Sequence, residues 1–248
     1  MVGKRFTDKV VVVTGGSQGI GLACVKRFQQ EGATVCAIQR TLSENVESYQ
    51  FDLSNHQDCQ KSIEMVLEKH SKIDVLVNNA GMMNESLAAE TTLDNWNKTI
   101  ALNLTAPFLM IKYAIPHLIK SKGSIVNVGS IEGIGANPKH AAYCASKAGL
   151  HGLTRAIAID HGHDGVRCNA VAPGWIDTEL NESFIESMPN PDQFRDNIGK
   201  IHPLNRTGKS TEIASLVAWL ASDESSFVTG QVYTADGGRM AKIGLPNA

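Results

Sequence analysis

The sequence predicts an α/β protein, a doubly wound parallel sheet with helices on both faces. Two observations carry most of that expectation. A β-branched run, Val10 to Val13, passes directly into a glycine-rich turn, then an amphipathic stretch, then a second apolar run from Ala33 to Ile38. Strand, tight turn, helix and strand within about thirty residues form the crossover unit of a parallel sheet. After it, short apolar runs alternate with helical periodicity to the end of the chain, the pattern of strands buried on both faces.

In order, the first helix is marked by Ile20, Leu22, Ala23, Val25 and Phe28 and stops at Gly32. Ile63 to Leu67 lies on a second helix, and Ile73 to Val77 is a buried strand after it. Leu93 to Leu109 reads as helix until Pro107 perturbs it. Ser124 to Val128 is a strand, Tyr143 to Asp160 a helix and Val166 to Ala172 a strand. Ile213 to Leu220 is a helix, and Gln231 to Ala235 a last short strand. With no repeat, linker or low-complexity tract, residues 1–248 are expected to form one domain. The rhythm breaks only from Trp175 to Gly208, which holds Pro189, Pro191, Pro203 and a short amphipathic piece, Phe184 to Met188. A connection this long, placed beyond the carboxyl ends of the strands, predicts a lid over a ligand site.

Composition excludes several classes. The chain has 248 residues, 42% hydrophobic and 19% charged, enough to bury a large core without disulfides or metal staples. A net charge of −2 argues against a broad nucleic-acid surface. Five scattered cysteines with no CxxC pair read as reduced thiols of a cytoplasmic protein. The N-terminus has no apolar h-region of a signal peptide. The stretch Ile100 to Ile119 carries Asn103, Lys112, His117 and two prolines, so it predicts a core helix and no membrane partner. His161, His163 and Asp164 lie in a glycine-flanked loop without further ligands nearby, so no metal site is expected.

The turn Thr14-Gly15-Gly16-Ser17-Gln18-Gly19-Ile20-Gly21 has the chemistry of a dinucleotide site. Glycines allow a tight turn and close approach of a pyrophosphate, which the helix N-terminus then meets. At the tip of the second strand stand Gln39 and Arg40 where an acidic residue would hold a ribose 2′-hydroxyl. A guanidinium there can pair with a 2′-phosphate, which favours NADP(H) over NAD(H). The neutral Gln18 inside the turn cuts the other way.

Tyr143 and Lys147 are four apart at the start of a helix and share a face. A nearby cation favours a phenolate. Ser130 follows a buried strand, so it stands at that strand's carboxyl end, and Asn103 sits within an apolar helix where a buried amide needs partners. Alone, each pattern is ordinary.

Together they resemble the short-chain dehydrogenase/reductases, over nearly the whole chain. The shared motifs are the glycine turn, Asn78-Asn79-Ala80-Gly81, Ser130, Tyr143-x-x-x-Lys147, Pro173-Gly174-Trp175-Ile176-Asp177-Thr178 and Asp236-Gly237-Gly238. The resemblance implies a Rossmann-type fold and an NAD(P)-dependent oxidoreductase that moves a hydride between cofactor and an alcohol or carbonyl carbon. It makes Tyr143 the general acid/base and Lys147 a partner of that phenol and of the nicotinamide ribose. Ser130 polarises the substrate oxygen, and Asn103 holds a relay water. It places Asp52 and Leu53 beside the adenine, Asn79, Ala80 and Gly81 on the adenosine side, and Pro173, Gly174, Ile176 and Thr178 near the nicotinamide. It also suggests a homotetramer built through the helices from Leu93 and Tyr143, with a tail from Arg239 to Ala248 that reaches a neighbour.

Candidate substrate residues are Ser130, Glu132, Asn137, His140, Tyr143 and Trp175. Glu132 and His140 would be costly against an aliphatic chain without partners, which points to a sugar or polyol. His140 either contacts substrate or caps the helix. A 3-oxoacyl thioester is the rival substrate. A cofactor-binding sensor is the rival class, though a sensor is expected to lose Tyr143 or Lys147. An extended-branch epimerase or dehydratase needs a longer chain and other glycine spacing.

Overall fold

The computed structural model of the protein describes residues 3–44 and 46–242. Its strands are β1 (Val10–Thr14), β2 (Thr34–Gln39), β3 (Glu47–Gln50), β4 (Val75–Asn78), β5 (Ser124–Val128), β6 (Arg167–Pro173), β7 (Ile176–Asp177), β8 (Gly208–Lys209) and β9 (Val232–Ala235). Seven of them form one sheet in the order β3-β2-β1-β4-β5-β6-β9. Every pairing is parallel. The order reverses between β1 and β4, and ligands of doubly wound sheets bind at the crevice this opens.

The helices are α1 (Gly19–Gln30), α2 (His56–His70), α3 (Leu93–Ile100), α4 (Ala106–Ser121), α5 (Ala141–His161), α6 (Glu179–Glu186), α7 (Pro191–Ile198) and α8 (Ser210–Ala221). Alternate side chains of β1 go to opposite faces, as strand geometry dictates. Val11 and Val13 join Val25 and Phe28 of α1 and Val217 of α8 in one cluster. Val10 and Val12 join Ile63 of α2, Met110 and Leu118 of α4 and Ile157 of α5 in the other. The strands and helices anticipated from periodicity are all present, and the Rossmann-type doubly wound fold holds.

Two local readings change, and a third holds. The helix from Leu93 is not interrupted at Pro107. A π-helical turn, Ala101–Thr105, comes first, and Pro107 then sits in the first turn of α4, where a missing N–H is harmless. The stretch Leu93–Ser121 is long and apolar enough to cross a membrane by length and composition. Met110, Ile111, Ala114 and Leu118 nevertheless face the core, which makes it the core helix expected. Residues 175–208 hold real structure: α6, α7 and the two-stranded pairing of β7 with β8. The last expected element, the tail to Ala248, lies outside the described residues beyond 242.

Candidate active site

The cofactor end is shaped by backbone. Gly15 and Gly19 take φ of 67° and 53°, the left-handed region that glycine enters freely. A Cβ added at Gly21 would lie 2.0 Å from the Gly15 carbonyl oxygen, so α1 starts hard against the turn. Ser17 and Gln18 are exposed, Gln18 at the N-cap of α1 without a side-chain cap, and Ile20 packs on the core beside them. Asn79 braces this turn: its Nδ2 donates to the carbonyls of Thr14 and Gly15, each at 3.0 Å. Thr14 Oγ1 in turn accepts the backbone N–H groups of Asn79 and Ala80. Asn79 is therefore bound to the turn's architecture from the inside.

At the tip of β2, Gln39 is buried, its Nε2 donates to the Thr41 carbonyl, and its Oε1 has no donor. Arg40 is exposed, and its charge helps hold the Asp52 carboxyl below its ordinary range, after the two hydrogen bonds from Ser54. Leu53 points into the core, so only its backbone is free to border a ligand. A cradle that any Cβ would fill, an unfilled buried acceptor and an exposed guanidinium fit a dinucleotide cofactor. Across the crevice, Pro173 ends β6 and Gly174 presses on Asp236, where a Cβ would come within 2.8 Å of the Asp236 Cα. Ile176 is buried, and Thr178 caps α6 with its methyl beside Gly19. Trp175 packs on Phe184 and Phe194, with ring centroids 5.6 and 5.5 Å away.

The catalytic end is shaped by side chains. Ser130 stands just past β5, its Oγ accepting the Glu132 N–H at 3.1 Å. Its hydroxyl stands beside the Tyr143 phenol and favours the ionised form. Lys147 is buried on the same face of α5, with Nζ 5.6 Å from the Tyr143 ring centroid, and donates to the Val128 carbonyl at 2.8 Å. Burial pushes the Tyr143 phenol up to about 12, with Glu132 and Cys144 adding to the rise and Ser130 opposing it. The Lys147 ammonium is turned to the Val128 carbonyl, and burial brings it down to about 8.

Asn103 lies in the π-turn, and its amide clasps the Met82 backbone: Oδ1 accepts the N–H and Nδ2 donates to the carbonyl, both at 2.8 Å. Nδ2 also reaches Ser146 Oγ at 3.1 Å. A Cβ at Gly81 would sit 3.3 Å from Asn103 Oδ1 and 3.7 Å from Lys147 Nζ, so Gly81 is the gap between these groups.

Glu132 and His140 need no polar substrate to justify their burial, contrary to the expectation from their chemistry alone. His140 Nδ1 lies 2.6 Å from Glu132 Oε2, and Nε2 lies 3.1 Å from Glu85 Oε1. Asn137 links Glu132 to Arg239, at 2.9 Å on each side. His140 makes no side-chain cap to α5. Glu85 and Arg239 were not legible in sequence, since they arrive from distant loops. His151 was: it follows Lys147 by four and extends one helix face through Tyr143, Lys147 and His151. It is buried against Gly129 and Gly133, its Nε2 lacks a partner, and burial lowers it to about 4.

A cavity of about 570 Å³ opens between α1, α6 and α8, but none of Ser130, Tyr143 and Lys147 lines it. The catalytic assignment therefore rests on side-chain geometry, not on cavity size. His161 and His163 contact Asp164 in a partly exposed turn. Among the described residues Cys36, Glu47 and His70 bring three potential metal ligands within 4.8 Å of one another. Glu47 there already accepts from Tyr49 and His70 and pairs with Lys69, which satisfies the group as a hydrogen-bonded cluster.

Known proteins resemble this chain in sequence and fold. A family model described as enoyl-(acyl carrier protein) reductase matches residues 15–239. Meso-2,3-butanediol dehydrogenase of Serratia marcescens is 37% identical over 253 residues, covering 98% of each chain. A 3-oxoacyl-acyl-carrier-protein reductase of Thermotoga maritima is 38% identical, over 94% of this chain and 98% of its own. The ligand-free structure of Thermoplasma acidophilum aldohexose dehydrogenase superposes with a TM-score of 0.93 at 36% identity, over 98% of each chain. Members of the family so matched use NAD(H) or NADP(H). This chain belongs to the short-chain dehydrogenase/reductase family.

Proposed function

We propose that the protein interconverts a polar secondary alcohol and its ketone or aldehyde, with Tyr143 as general acid/base and NADP(H) as the favoured cofactor. As a member of its family the chain is an oxidoreductase acting between alcohol and carbonyl. The observation that carries the residue-level reading is the placement of the buried Lys147 ammonium 5.6 Å from the Tyr143 ring on one helix face, with Ser130 beside the phenol. Ser130 orients the substrate oxygen, its own Oγ fixed by the Glu132 N–H. Tyr143 exchanges the hydroxyl proton at its phenolic oxygen. Lys147, able to shed its proton near neutral pH, passes charge on from there, and Asn103 holds the Met82 backbone beside it. When bound, the cofactor gives or takes the hydride and, in its oxidised form, adds the positive charge that a phenol at about 12 requires.

A polar substrate is supported by the names of the butanediol and aldohexose dehydrogenases. The 3-oxoacyl reductase points to thioesters instead. Residues 175–208 act as the substrate lid, pinned by the cluster of Trp175, Phe184 and Phe194. Leu93, Trp96, Phe108 and Ile159 are exposed on α3, α4 and α5, which supports a homotetramer formed through those helices. Five free cysteines suit a reducing cytoplasm.

A screen of polyols, aldoses and 3-oxoacyl thioesters, followed by nicotinamide absorbance with both cofactors, tests the reading. Turnover of thioesters alone overturns the polar substrate. Tyr143→Phe abolishes turnover while leaving cofactor binding intact, and near-normal activity in that variant refutes the assignment.

A further inference from the structure

The charged groups beside Tyr143 form a closed set. Glu132 follows Ser130 by two residues, and its carboxylate accepts from Asn137 Nδ2 at 2.9 Å. Its other oxygen faces His140 Nδ1 at 2.6 Å and Cys144 Sγ at 3.6 Å. The second ring nitrogen of His140 faces Glu85 Oε1 at 3.1 Å. Backbone fixes this arrangement: the Ser86 N–H donates to the Lys139 carbonyl at 2.8 Å, and Ser86 and His140 form a parallel bridge. Glu85 is thus held beside the ring from a different loop.

The geometry assigns the protonation state. A neutral imidazole has one N–H donor, and an ionised carboxylate only accepts. A ring with a carboxylate at each nitrogen satisfies both contacts only as imidazolium. His140 is buried, at 6% exposure, so this charge is held inside the protein and not at a wet surface. The direction of its pKa agrees: the bond to Glu132 holds it above the ordinary histidine value, against the opposing pull of burial, with Glu85 adding to the rise. Its ring centroid is 6.2 Å from that of Tyr143.

We propose that Glu132 and His140, extended to Glu85, form a charge pair that sets the proton affinity of Tyr143. The Glu132 charge opposes ionisation of the phenol, and the His140 charge cancels that opposition. The groups facing Tyr143 are Ser130, Glu132, His140, Cys144 and Lys147; those facing His140 are Glu85, Glu132 and Tyr143. Arg239 joins only through Asn137. Glu132 and His140 are positioning residues here, since neither needs to touch the substrate. The proposal rests on Tyr143 being the acid/base, and it gives that residue an electrostatic partner besides Lys147.

The test reads the phenol directly. Phenolate absorbance is titrated in the complex with oxidised NADP or NAD, as the difference between each protein and the same protein carrying Tyr143→Phe. Glu132→Gln lowers the Tyr143 pKa and His140→Gln raises it, each by at least about 0.5 for charges at this separation. The double variant falls between them, near the wild type. Imidazole carbon shifts of His140 show an imidazolium at neutral pH in the wild type. Single variants that shift the phenol in the same direction, or not at all, overturn the proposal, as does a neutral His140. If His140→Gln fails to fold, the Glu132→Gln titration and the His140 shifts decide alone. The titration needs no substrate, so a chain that turns over nothing in the screen still reveals whether the pair acts on the phenol.

Discussion

At the glycine turn, position is decided by what cannot fit: Gly21 has no room for a methyl, and Asn79 ties the turn to β4 through neutral hydrogen bonds. Around Tyr143, position is decided by which charges face one another: a buried amine, a buried imidazolium and a carboxylate lie within the first two turns of α5 and the loop before it. The first kind of site is insensitive to pH and intolerant of volume. The second tolerates isosteric changes and responds to every proton. A hydride-transfer enzyme has use for both, because the cofactor must be held in one place while the protonation state of the phenol changes.

Gly21→Ala breaks the comparison most forcefully. A Cβ 2.0 Å from a carbonyl oxygen must displace backbone, which costs on the order of 3 kcal/mol or more. We expect a large fall in Tm and loss of cofactor binding by titration calorimetry, both independent of pH. A variant that melts and binds like the wild type removes steric exclusion as the basis of that end.

Lys147→Met sharpens the other half, with a smaller effect. Burial lowers the amine from 10.5 to about 8, so between those values the folded chain holds fewer protons than the unfolded one. The amine's contribution to stability therefore rises with pH across that window, by at most about 3 kcal/mol, and below pH 8 the cost of burying the charged form is present in full. Denaturant midpoints of the wild type should rise relative to those of Lys147→Met across the window, since the buried thiols that titrate there are common to both. Parallel curves would mean that the amine is not desolvated as its contacts imply.

The same contrast explains what was legible in sequence. Steric demands leave local traces, because a turn that excludes side chains must be written in glycine, and the strands beside it as β-branched runs. The charge pattern leaves a trace only where its members share an element. Tyr143, Lys147 and His151 repeat every four residues, whereas Glu85 and Arg239 come from loops 55 residues before and 99 after His140. β3 escaped because Glu-Ser-Tyr-Gln at a sheet edge has neither apolar run nor clean alternation. The π-turn escaped because its inserted residue is stabilised by a contact, Asn103 on Met82, that sequence periodicity does not carry.

The smallest effect falls where the two kinds of site meet, at the tip of β2. Arg40 is exposed and makes no hydrogen bond through its guanidinium among the described residues, so removing it costs the fold little beyond its screened attraction to Asp52. A 2′-phosphate paired with it is an exposed charge-assisted contact worth about 1 kcal/mol, about fivefold in kcat/KM. Arg40→Ala should lower kcat/KM for NADPH by about that factor and leave NADH unchanged, and should do so less at high salt. Beside it, Gln39 Oε1 lacks a donor, which a ribose hydroxyl supplies and a phosphate does not. A clear NADH preference that ignores Arg40→Ala would therefore pass the discrimination from the guanidinium to the amide, and turn this corner from an electrostatic site into one read by hydrogen bonding alone.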